Sequence, residues 1–306
     1  MKILITGGAG FQGRYLAEYL LAEGHEVAVL NTWSEKTEKN SLGLKDKVKF
    51  IWGDVAENEI VEKSVSGQDL VFHLAGRINI DESIKYPLKH ITANIIGTYN
   101  VLEAVKKNNN RLIYTSSCEA YGGSDELINE KHELKPQSPY SATKAAADRL
   151  CYAYYKTYGI KAVIVRPFNV FGERQKETAG GAVIPIFVAK ALRGEPLIIF
   201  GTGEQKRDYM HISDLINAYG LILKHPEISG EVINFGTGIA TSIKCIAEYI
   251  AGKLGVVINY GDSRPGEVKG IICDYAKAKK LLNWEPKTTI WEGIDKYIAW
   301  RKNLKR

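Results

Sequence analysis

The sequence predicts an α/β fold, with a doubly wound parallel sheet and a smaller α/β lobe after it. In the first half, short β-branched runs alternate with longer helical stretches, which is the pattern of βαβ units. These runs are apolar throughout, as expected of strands that helices cover on both faces. The predicted strands are Lys2–Thr6, Glu26–Leu30, Lys49–Ile51, Asp69–His73, Arg111–Thr115 and Ala162–Arg166.

The pattern changes after about Pro167, where Gly and charged residues divide the chain into shorter pieces. We therefore expect one domain over residues 1–170 and a loop-rich lobe over residues 171–306, part of which returns to the first domain. The predicted helices are Tyr15–Glu23, Ile91–Asn108, Pro139–Tyr158, Ala182–Leu192 and Ser242–Leu254.

Composition and charge exclude several classes of protein. The chain has 306 residues, of which 45% are hydrophobic and 25% charged, as in ordinary globular proteins. The net charge of +6 is spread among interleaved lysines and acids, unlike the concentrated basic face of a nucleic-acid binder. No apolar run approaches the ~20 residues of a membrane span. A small anionic ligand suits this charge balance, whereas nucleic acid and membrane do not.

The cysteines and the N-terminus indicate a cytoplasmic protein. The chain starts directly with a strand-like run and has no signal-peptide profile. The scattered cysteines form no C-x-x-C pair and have no histidine at ligand spacing, so we expect reduced thiols and no metal site. They are Cys118, Cys151, Cys245 and Cys273.

A glycine-rich turn, Gly7-Gly-Ala-Gly-Phe-Gln-Gly13, lies between the first predicted strand and a helix. Glycines at 7, 10 and 13 permit a tight turn and let backbone N–H groups approach a pyrophosphate at the helix N-terminus. This context predicts a Rossmann-type domain that binds a dinucleotide.

The end of the second strand bears on the choice between NAD and NADP. Enzymes that use NAD usually carry an acid there for the ribose, but this chain has Asn31. An amide can bind the ribose without repelling a 2′-phosphate, which Arg14, Lys36 or Lys39 could reach. NAD is favoured and NADP stays open. Asp54, after the third strand, is either a ligand of the adenine amine or a helix N-cap.

Tyr140 and Lys144 are spaced four residues apart on a predicted helix, so they share one face. A phenol has a pKa near 10, too high for a base at neutral pH, and a neighbouring ammonium favours the phenolate. Tyr140 could therefore accept a proton from a substrate hydroxyl while a hydride leaves the same carbon.

Taken together, these residues resemble the extended short-chain dehydrogenase/reductase family, and within it the nucleotide-sugar epimerases and dehydratases. The resemblance covers essentially the whole chain. Its further motifs are His73-Leu-Ala-Gly76, Asn94-Ile-Ile-Gly-Thr98, Thr115-Ser-Ser117, Arg166-Pro-Phe-Asn169, Gln205-Lys-Arg-Asp208 and Arg264-Pro-Gly-Glu267.

The resemblance implies a role for each matching residue. Tyr140 is the base, Lys144 binds the nicotinamide ribose, and Ser117 hydrogen-bonds the sugar O4. Asn169, Arg207 and Arg264 bind the nucleotide-diphosphate sugar, although each arginine could instead form a surface ion pair. The cofactor residues are Gly7, Gly10, Phe11, Gln12, Gly13, Asn31, Asp54, Val55, Leu74, Ala75, Gly76, Asn94, Thr115, Tyr140, Lys144 and Phe168.

Glu119 bears on which reaction follows oxidation at C4. Family 4-epimerases usually have a small or uncharged residue there, while 4,6-dehydratases and uronate decarboxylases have glutamate, which can remove the C5 proton. This favours a 4,6-dehydratase over a 4-epimerase, with a decarboxylase third. Ser117 and Cys118 depart from the common dehydratase pattern, and Glu119 could simply be an acid favoured by a helix dipole.

Two further expectations concern partners. A non-catalytic dinucleotide-binding sensor on the same fold is an alternative, but such proteins typically lose the tyrosine or the lysine. The helices Ile91–Asn108 and Pro139–Tyr158 have more apolar surface than one sheet face needs. In relatives the equivalent pair forms a four-helix interface, so we expect a homodimer.

Overall fold

The computed structural model describes residues 1–34, 37–38, 43–177, 181–262 and 270–304. The chain divides into two compact units. Unit 1 comprises Met1–Ala120, Ser138–Arg166 and Tyr219–Ile233, and unit 2 comprises Tyr121–Gln137, Pro167–Ala218 and Asn234–Arg306. Relative to the predicted boundary after residue 170, residues 121–137 group with unit 2 and residues 219–233 with unit 1.

A seven-stranded sheet forms the centre of unit 1. Its strands are β1 (Lys2–Thr6), β2 (Glu26–Asn31), β3 (Lys49–Trp52), β4 (Leu70–His73), β5 (Arg111–Thr115), β6 (Lys161–Pro167) and β11 (Val232–Phe235). The order is β11-β6-β5-β4-β1-β2-β3, and all neighbours from β3 to β6 pair in parallel. The chain winds outward from β1 in one direction and from β4 in the other. The predicted doubly wound α/β fold is confirmed, and in such sheets ligands bind beyond the carboxyl ends of the strands where the winding reverses.

The core of unit 1 explains why its strands are apolar throughout. Leu4, Val71, Leu112 and Ile164 lie in four neighbouring strands, are buried, and share one hydrophobic cluster with residues of the covering helices. The helices of this region are α1 (Phe11–Ala22), α2 (Asn58–Val65), α3 (Ile80–Lys85), α4 (Pro87–His90), α5 (Gly97–Asn108) and α6 (Pro139–Tyr158).

Helix α6 has the bounds that its sequence predicts, because both of its ends carry local signals. The side chain of Ser138 accepts a hydrogen bond from the backbone N–H of Ser141, Pro139 occupies the first turn, and Gly159 ends the helix with φ +70°. The helix predicted over Ile91–Asn108 is instead interrupted: Ile91–Ile96 is a π-helical turn that precedes α5.

Unit 2 contains shorter elements around its own core, in which Ile184, Phe187, Ile246 and Ile294 are buried. Its three small sheets pair β7 with β10, β9 with β12 and β14, and β8 with β13, where β7 is Val170–Phe171, β8 Leu197–Phe200, β9 Lys206–Arg207, β10 Met210–His211, β12 Thr241–Ser242, β13 Ile258–Gly261 and β14 Gly270–Ile271. The remaining helices are α7 (Val183–Ala191), α8 (Ile212–Lys224, which continues into unit 1), α9 (Ile243–Leu254), α10 (Ala276–Leu282) and α11 (Ile290–Asn303). No helix in the described ranges is long and apolar enough to cross a membrane.

Candidate active site

The turn after β1 brings backbone unusually close to backbone. Gly7 has φ +75°, and a Cβ there would lie 2.8 Å from the backbone nitrogen of Ala75. A Cβ on Gly13 would lie 2.4 Å from the carbonyl oxygen of Gly7. In the described structure no side chain caps α1, and its first turn has no acidic residue. The positive end of the helix and its N–H groups are therefore available to an anion, which fits the pyrophosphate of a dinucleotide.

Asn31 connects the end of β2 to this turn. Its Oδ1 accepts a hydrogen bond from the backbone N–H of Ala9 at 3.2 Å, and its Nδ2 donates to the Thr32 carbonyl at 2.9 Å. Within the described residues, the second Nδ2 hydrogen makes no further bond. Of the cations proposed for a 2′-phosphate, Arg14 hydrogen-bonds Glu18 at 3.2 Å, while Lys36 and Lys39 lie outside the described residues.

The segment after β3 is ordered by its own polar groups. The Oδ1 of Asp54 accepts a hydrogen bond from the backbone N–H of Ala56 at 2.9 Å, which is a turn of the capping type. Val55 is buried, and its carbonyl accepts a bond from Nδ2 of Asn100 at 3.0 Å. The N-cap residue of α2 is Glu57, so the alternative of a helix N-cap for Asp54 is wrong. Its predicted contact with adenine stays a prediction.

A directed chain of hydrogen bonds runs beneath the loop after β4. The backbone N–H of Ala75 donates to the Thr6 hydroxyl at 3.2 Å, so Thr6 can donate to Nδ1 of His73 at 2.7 Å. Thr98 donates to the Asn94 carbonyl at 2.6 Å, so it accepts from Nε2 of His73 at 3.0 Å. Burial lowers the pKa of His73 to about 3, and the Lys144 charge adds to this effect. The imidazole is therefore neutral. The bond from Ala75 to Thr6, together with those of His73 to Thr6 and Thr98, holds the loop that contains Leu74, Ala75 and Gly76 in place.

Asn94 holds three segments together from the π-helical turn. Its Oδ1 accepts from the backbone N–H of Arg77 at 2.7 Å, and its Nδ2 donates to the Arg77 carbonyl at 3.0 Å and to the Thr143 hydroxyl at 2.9 Å. Both amide hydrogens are thus used within the chain. The expected contact of Asn94 with the cofactor stays a prediction, and its hydrogen bonds give it a positioning role within the chain.

Ser117, Glu119 and Tyr140 come together at the carboxyl end of β5. The Ser117 hydroxyl lies near the Tyr140 phenol and accepts from the backbone N–H of Glu119 at 3.2 Å. Burial raises the pKa of the Tyr140 phenol above its ordinary value, the nearby Ser117 hydroxyl opposes this, and the charge of Glu119 adds to it. The Glu119 carboxylate is therefore close enough to act electrostatically on the Tyr140 phenol.

The side chain of Lys144 points to the carboxyl end of β5, as those around Tyr140 do. Its Nζ donates to the Thr115 carbonyl at 2.6 Å and lies 4.7 Å from the centre of the Tyr114 ring. Burial lowers its pKa to about 8. The expected lowering of the Tyr140 pKa by this ammonium is not observed, because burial penalises both charged forms. The Thr115 hydroxyl, expected at the cofactor, hydrogen-bonds Tyr219 at 2.7 Å.

The remaining predicted residues belong to unit 2. Phe168 is buried, and its backbone N–H donates to the Phe235 carbonyl at 2.8 Å. Asn169 has φ +21°, and its Nδ2 donates to the Asp208 carbonyl at 3.0 Å. Arg207, in β9, donates from Nη1 to the Lys206 carbonyl at 2.9 Å. Arg264 lies outside the described residues. Within the described ranges, no three His, Cys, Asp or Glu side chains are grouped so that they could hold a metal ion.

Sequence reasoning gave no role to two of the buried carboxylates. Asp148 binds Arg166 through two hydrogen bonds of 2.7 Å. Asp208 accepts from the backbone N–H groups of Thr237, Gly238 and Cys273. The spacing of Asp148, four residues after Lys144, could have placed it on the same helix face. Asp208 ends the motif Gln205–Asp208, but its backbone partners are distant in the chain and have no local signal.

Curated proteins of three activities are similar to the chain over nearly its whole length. A putative UDP-glucose 4-epimerase of Methanocaldococcus jannaschii is 33% identical, over 99% of each chain. A UDP-glucuronic acid decarboxylase of Xenopus tropicalis is also 33% identical, over 99% of this chain and 73% of that protein. A dTDP-D-glucose 4,6-dehydratase of Dictyostelium discoideum is 31% identical, over 99% and 82%.

Two solved structures have the same fold throughout. The UDP-glucose 4-epimerase of Thermotoga maritima with UDP-glucose has a TM-score of 0.93, 31% identity and full coverage of both chains. The UDP-glucuronic acid 4-epimerase of Bacillus cereus, in complex with UDP-glucuronic acid and NAD, has a TM-score of 0.92 and 31% identity over 99% of this chain and 100% of that one.

The family model described as "NAD dependent epimerase/dehydratase family" matches residues 3–236. This range includes the glycine-rich turn, the hydrogen bonds through His73, and the residues Ser117, Tyr140 and Lys144. The predicted family and its dependence on NAD are thereby confirmed, while the relatives divide among three reactions. The chain belongs to the NAD-dependent epimerase/dehydratase family of nucleotide-sugar enzymes.

Proposed function

We propose that the chain is an NAD-dependent nucleotide-sugar 4,6-dehydratase. It would oxidise C4 of the hexose, remove the proton at C5, expel the C6 hydroxyl as water and return the hydride to C6. The observation that carries this proposal is the carboxylate of Glu119, which acts electrostatically on Tyr140 from the turn that also holds Ser117. A 4-keto group acidifies the neighbouring C5–H, and a carboxylate beside it is a suitable base.

In the proposed reaction Tyr140 takes the O4 proton in its phenolate form, with Ser117 bonded to both the phenol and O4. Burial keeps the Tyr140 phenol neutral in the protein without ligands, so the proposal requires the positive charges of Lys144, one helical turn further along α6, and of bound NAD to favour the phenolate during the reaction. Bound at this site, NAD would supply the acceptor for the C4 hydride and the donor that returns it to C6. Glu119 then removes the C5 proton and, as the carboxylic acid, donates a proton to the departing C6 hydroxyl, which leaves as water; C5 later takes a proton from solvent.

Cofactor binding is proposed for the residues around the turn after β1 and the loop after β4. The free helix end would hold the pyrophosphate, and the remaining Nδ2 hydrogen of Asn31 would bind the ribose. Asn169, Arg207 and Arg264 would bind the diphosphate of the substrate, since guanidinium groups bind phosphate oxygens in pairs. Both solved neighbours are complexes with UDP-sugars, which supports a UDP-hexose as the substrate of a dehydratase and leaves a UDP-hexuronate to the alternative reactions.

A 4-epimerase is the second candidate. Both solved neighbours and one relative are named as 4-epimerases. Cys118 also favours this alternative, because a thiol is a poor acid toward a leaving hydroxyl. In that case the sugar would be oxidised and reduced at C4 alone, and Glu119 would have a structural role.

Product masses in heavy water distinguish the candidates. The pure protein would be incubated with NAD or NADP and with UDP-glucose, dTDP-glucose or UDP-glucuronate. Loss of water with one deuterium gained is the expected result. Unchanged mass with altered retention and no deuterium would establish a 4-epimerase, and loss of carbon dioxide a decarboxylase. Bound cofactor without any turnover would favour a non-catalytic sensor.

Two variants test the role of Glu119. Glu119→Gln should retain oxidation at C4, seen as reduced cofactor, but should lose at least about 100-fold of the elimination rate, as expected for a missing general base. Glu126→Gln removes an exposed acid nearby in the sequence and should behave as wild type. Full elimination activity in Glu119→Gln would exclude Glu119 as the C5 base.

We also propose a homodimer. Ile91, Ile96 and Tyr99 are exposed on the π-helical turn and α5, and Tyr158 is exposed on α6. A second copy would cover these side chains in a four-helix bundle. Light scattering should give the mass of a dimer, which Ile96→Lys should reduce to that of a monomer, while Val257→Lys, at an exposed apolar residue of unit 2, should not. A monomeric wild type at micromolar concentration would refute the proposal.

A further inference from the structure

A carboxylate is buried one helical turn beyond Lys144. Asp148 has no exposed surface, and Arg166 is 2% exposed. Arg166 donates from Nε to Oδ2 and from Nη2 to Oδ1, each at 2.7 Å, and Arg149 donates from Nε to Oδ1 at 3.0 Å. Burial works against ionisation, but these bonds hold the pKa of Asp148 below its ordinary value. The carboxylate is therefore charged at neutral pH.

Stability alone is a weak reason for such a pair, because the cost of removing two charges from water roughly cancels their attraction. The pair instead restricts the orientation of helix α6. Tyr140, Lys144 and Asp148 recur every four residues on the inner face of α6. A bidentate bond from Asp148 to Arg166 at the end of β6 fixes the rotation of α6, and with it the direction of the other two side chains.

The charges around Lys144 give Asp148 a second effect. The titratable groups that act on Lys144, or lie beside it, are Tyr140, Asp148 and Cys151 on α6, Tyr114 on β5 and His73 on β4. Burial raises the pKa of Tyr114, Tyr140 and Cys151 and lowers that of His73, so these four groups are neutral near pH 7. Of the five, Asp148 alone carries a negative charge.

We propose that Asp148, held by Arg166, is a positioning residue that keeps the Lys144 ammonium charged and directed at the end of β5. This inference rests on the proposed role of Lys144 at the cofactor. The inference adds a supporting role behind the proposed site: the buried Asp148–Arg166 ion pair positions Tyr140 and Lys144 but does not itself contact cofactor or substrate.

The direct test is the titration of Lys144 in the protein without added ligands. Lysines labelled with ¹³C would be followed by NMR across pH, with the Lys144 signal identified by its loss in Lys144→Met. The wild-type midpoint should lie at about 8. Asp148→Asn should lower it by about one unit, as removal of a nearby opposite charge does. Asp148→Glu keeps the negative charge, so its Lys144 midpoint should lie close to that of wild type.

Two further variants keep the outcome interpretable. Asp148→Asn leaves the buried charge of Arg166 without its carboxylate, so if this variant fails to fold, the double variant Asp148→Asn/Arg166→Gln removes both charges. Asp214→Asn replaces a buried carboxylate of unit 2 that accepts from the backbone N–H of Thr288 at 3.0 Å. It should leave the Lys144 midpoint unchanged.

The affinity for NAD, measured by calorimetry across pH, is the second readout. As the pH rises, the affinity should begin to fall at a lower pH in Asp148→Asn than in wild type, in step with the loss of the Lys144 charge. An unshifted Lys144 midpoint in folded Asp148→Asn, or in the double variant where the single variant does not fold, would overturn the inference. Failure to turn over any nucleotide sugar would overturn the proposed function alone, because neither the titration nor NAD binding requires turnover.

Discussion

Asn94 donates a hydrogen bond to the Thr143 hydroxyl across 2.9 Å, and that hydroxyl donates to the backbone carbonyl of Tyr140 across 2.7 Å. The same amide exchanges two hydrogen bonds with the backbone of Arg77. One buried side chain therefore joins the loop after β4 to the start of α6. The loop and the helix carry separate parts of the proposed site, so their spacing depends on this residue.

We expect Asn94→Ala to lower the free energy of unfolding by about 2–4 kcal/mol, because three hydrogen bonds are lost and buried partners are left unsatisfied. NAD affinity should fall as well. Urea unfolding and calorimetry measure the two effects. Asn108→Ala, which removes a single bond to the Ala104 carbonyl, is the control and should cost about 1 kcal/mol. Equal effects of both substitutions would show that Asn94 has no special positioning role.

The sequence predicts the parts of this molecule that depend on local pattern. All six predicted strands lie within a residue or two of those observed, and α6 has the predicted bounds because Ser138 and Gly159 mark its ends. The π-helical turn was not predicted, since the hydrogen bonds of Asn94 to Arg77 join residues 17 apart in the chain. Tertiary contacts of this kind have no short-range signature.

Within the candidate site, the sequence identifies reactive groups better than it describes their surroundings. Tyr140, Lys144, Ser117 and Glu119 stand out by residue type and spacing, and they do lie around the end of β5. Their protonation could not be predicted, because it depends on burial. An exposed Tyr–Lys pair would favour the phenolate, whereas the buried pair disfavours both charges.

Lys144 should destabilise the protein near neutral pH. Burial lowers its pKa from 10.5 to about 8, so between these values the unfolded chain binds a proton that the native state does not. Wild-type stability should therefore rise with pH across this window, and below pH 8 the full cost, on the order of 3 kcal/mol, is present.

We expect Lys144→Met to be more stable than wild type at pH 7 by about 1–3 kcal/mol, after allowing for the lost bond to Thr115. The difference should shrink as the pH rises from 8 to 10.5, and the NAD affinity of the variant should be lower. Urea unfolding at a series of pH values measures the first effect. A stability difference that does not depend on pH would contradict this account of Lys144.

His73 should make the fold sensitive to acid. Its pKa is lowered from 6.5 to about 3, so between these values only the unfolded chain binds the proton. Stability should be lost as the pH falls through this window, by on the order of 5 kcal/mol at pH 3. His73→Gln keeps a side chain that can bond to Thr6 and Thr98 but does not titrate. Its stability should fall less steeply below pH 6.5, and parallel curves for the two proteins would refute the prediction.

Gly13 should tolerate no side chain. A Cβ there would lie 2.4 Å from the carbonyl oxygen of Gly7 and 2.6 Å from the Cα of Gly8, and both are backbone atoms that cannot rotate away. Gly13→Ala must therefore displace the turn that holds the proposed pyrophosphate site. We expect a loss of about 1–3 kcal/mol in stability and at least a tenfold weaker affinity for NAD.

Gly252→Ala is the matched control, because a Cβ there meets nothing within 4 Å and the residue lies inside α9. It should stabilise the protein by about 0.5–1 kcal/mol, since alanine favours a helix more than glycine does. If Gly13→Ala bound NAD as tightly as Gly252→Ala, the turn after β1 would not be the pyrophosphate site.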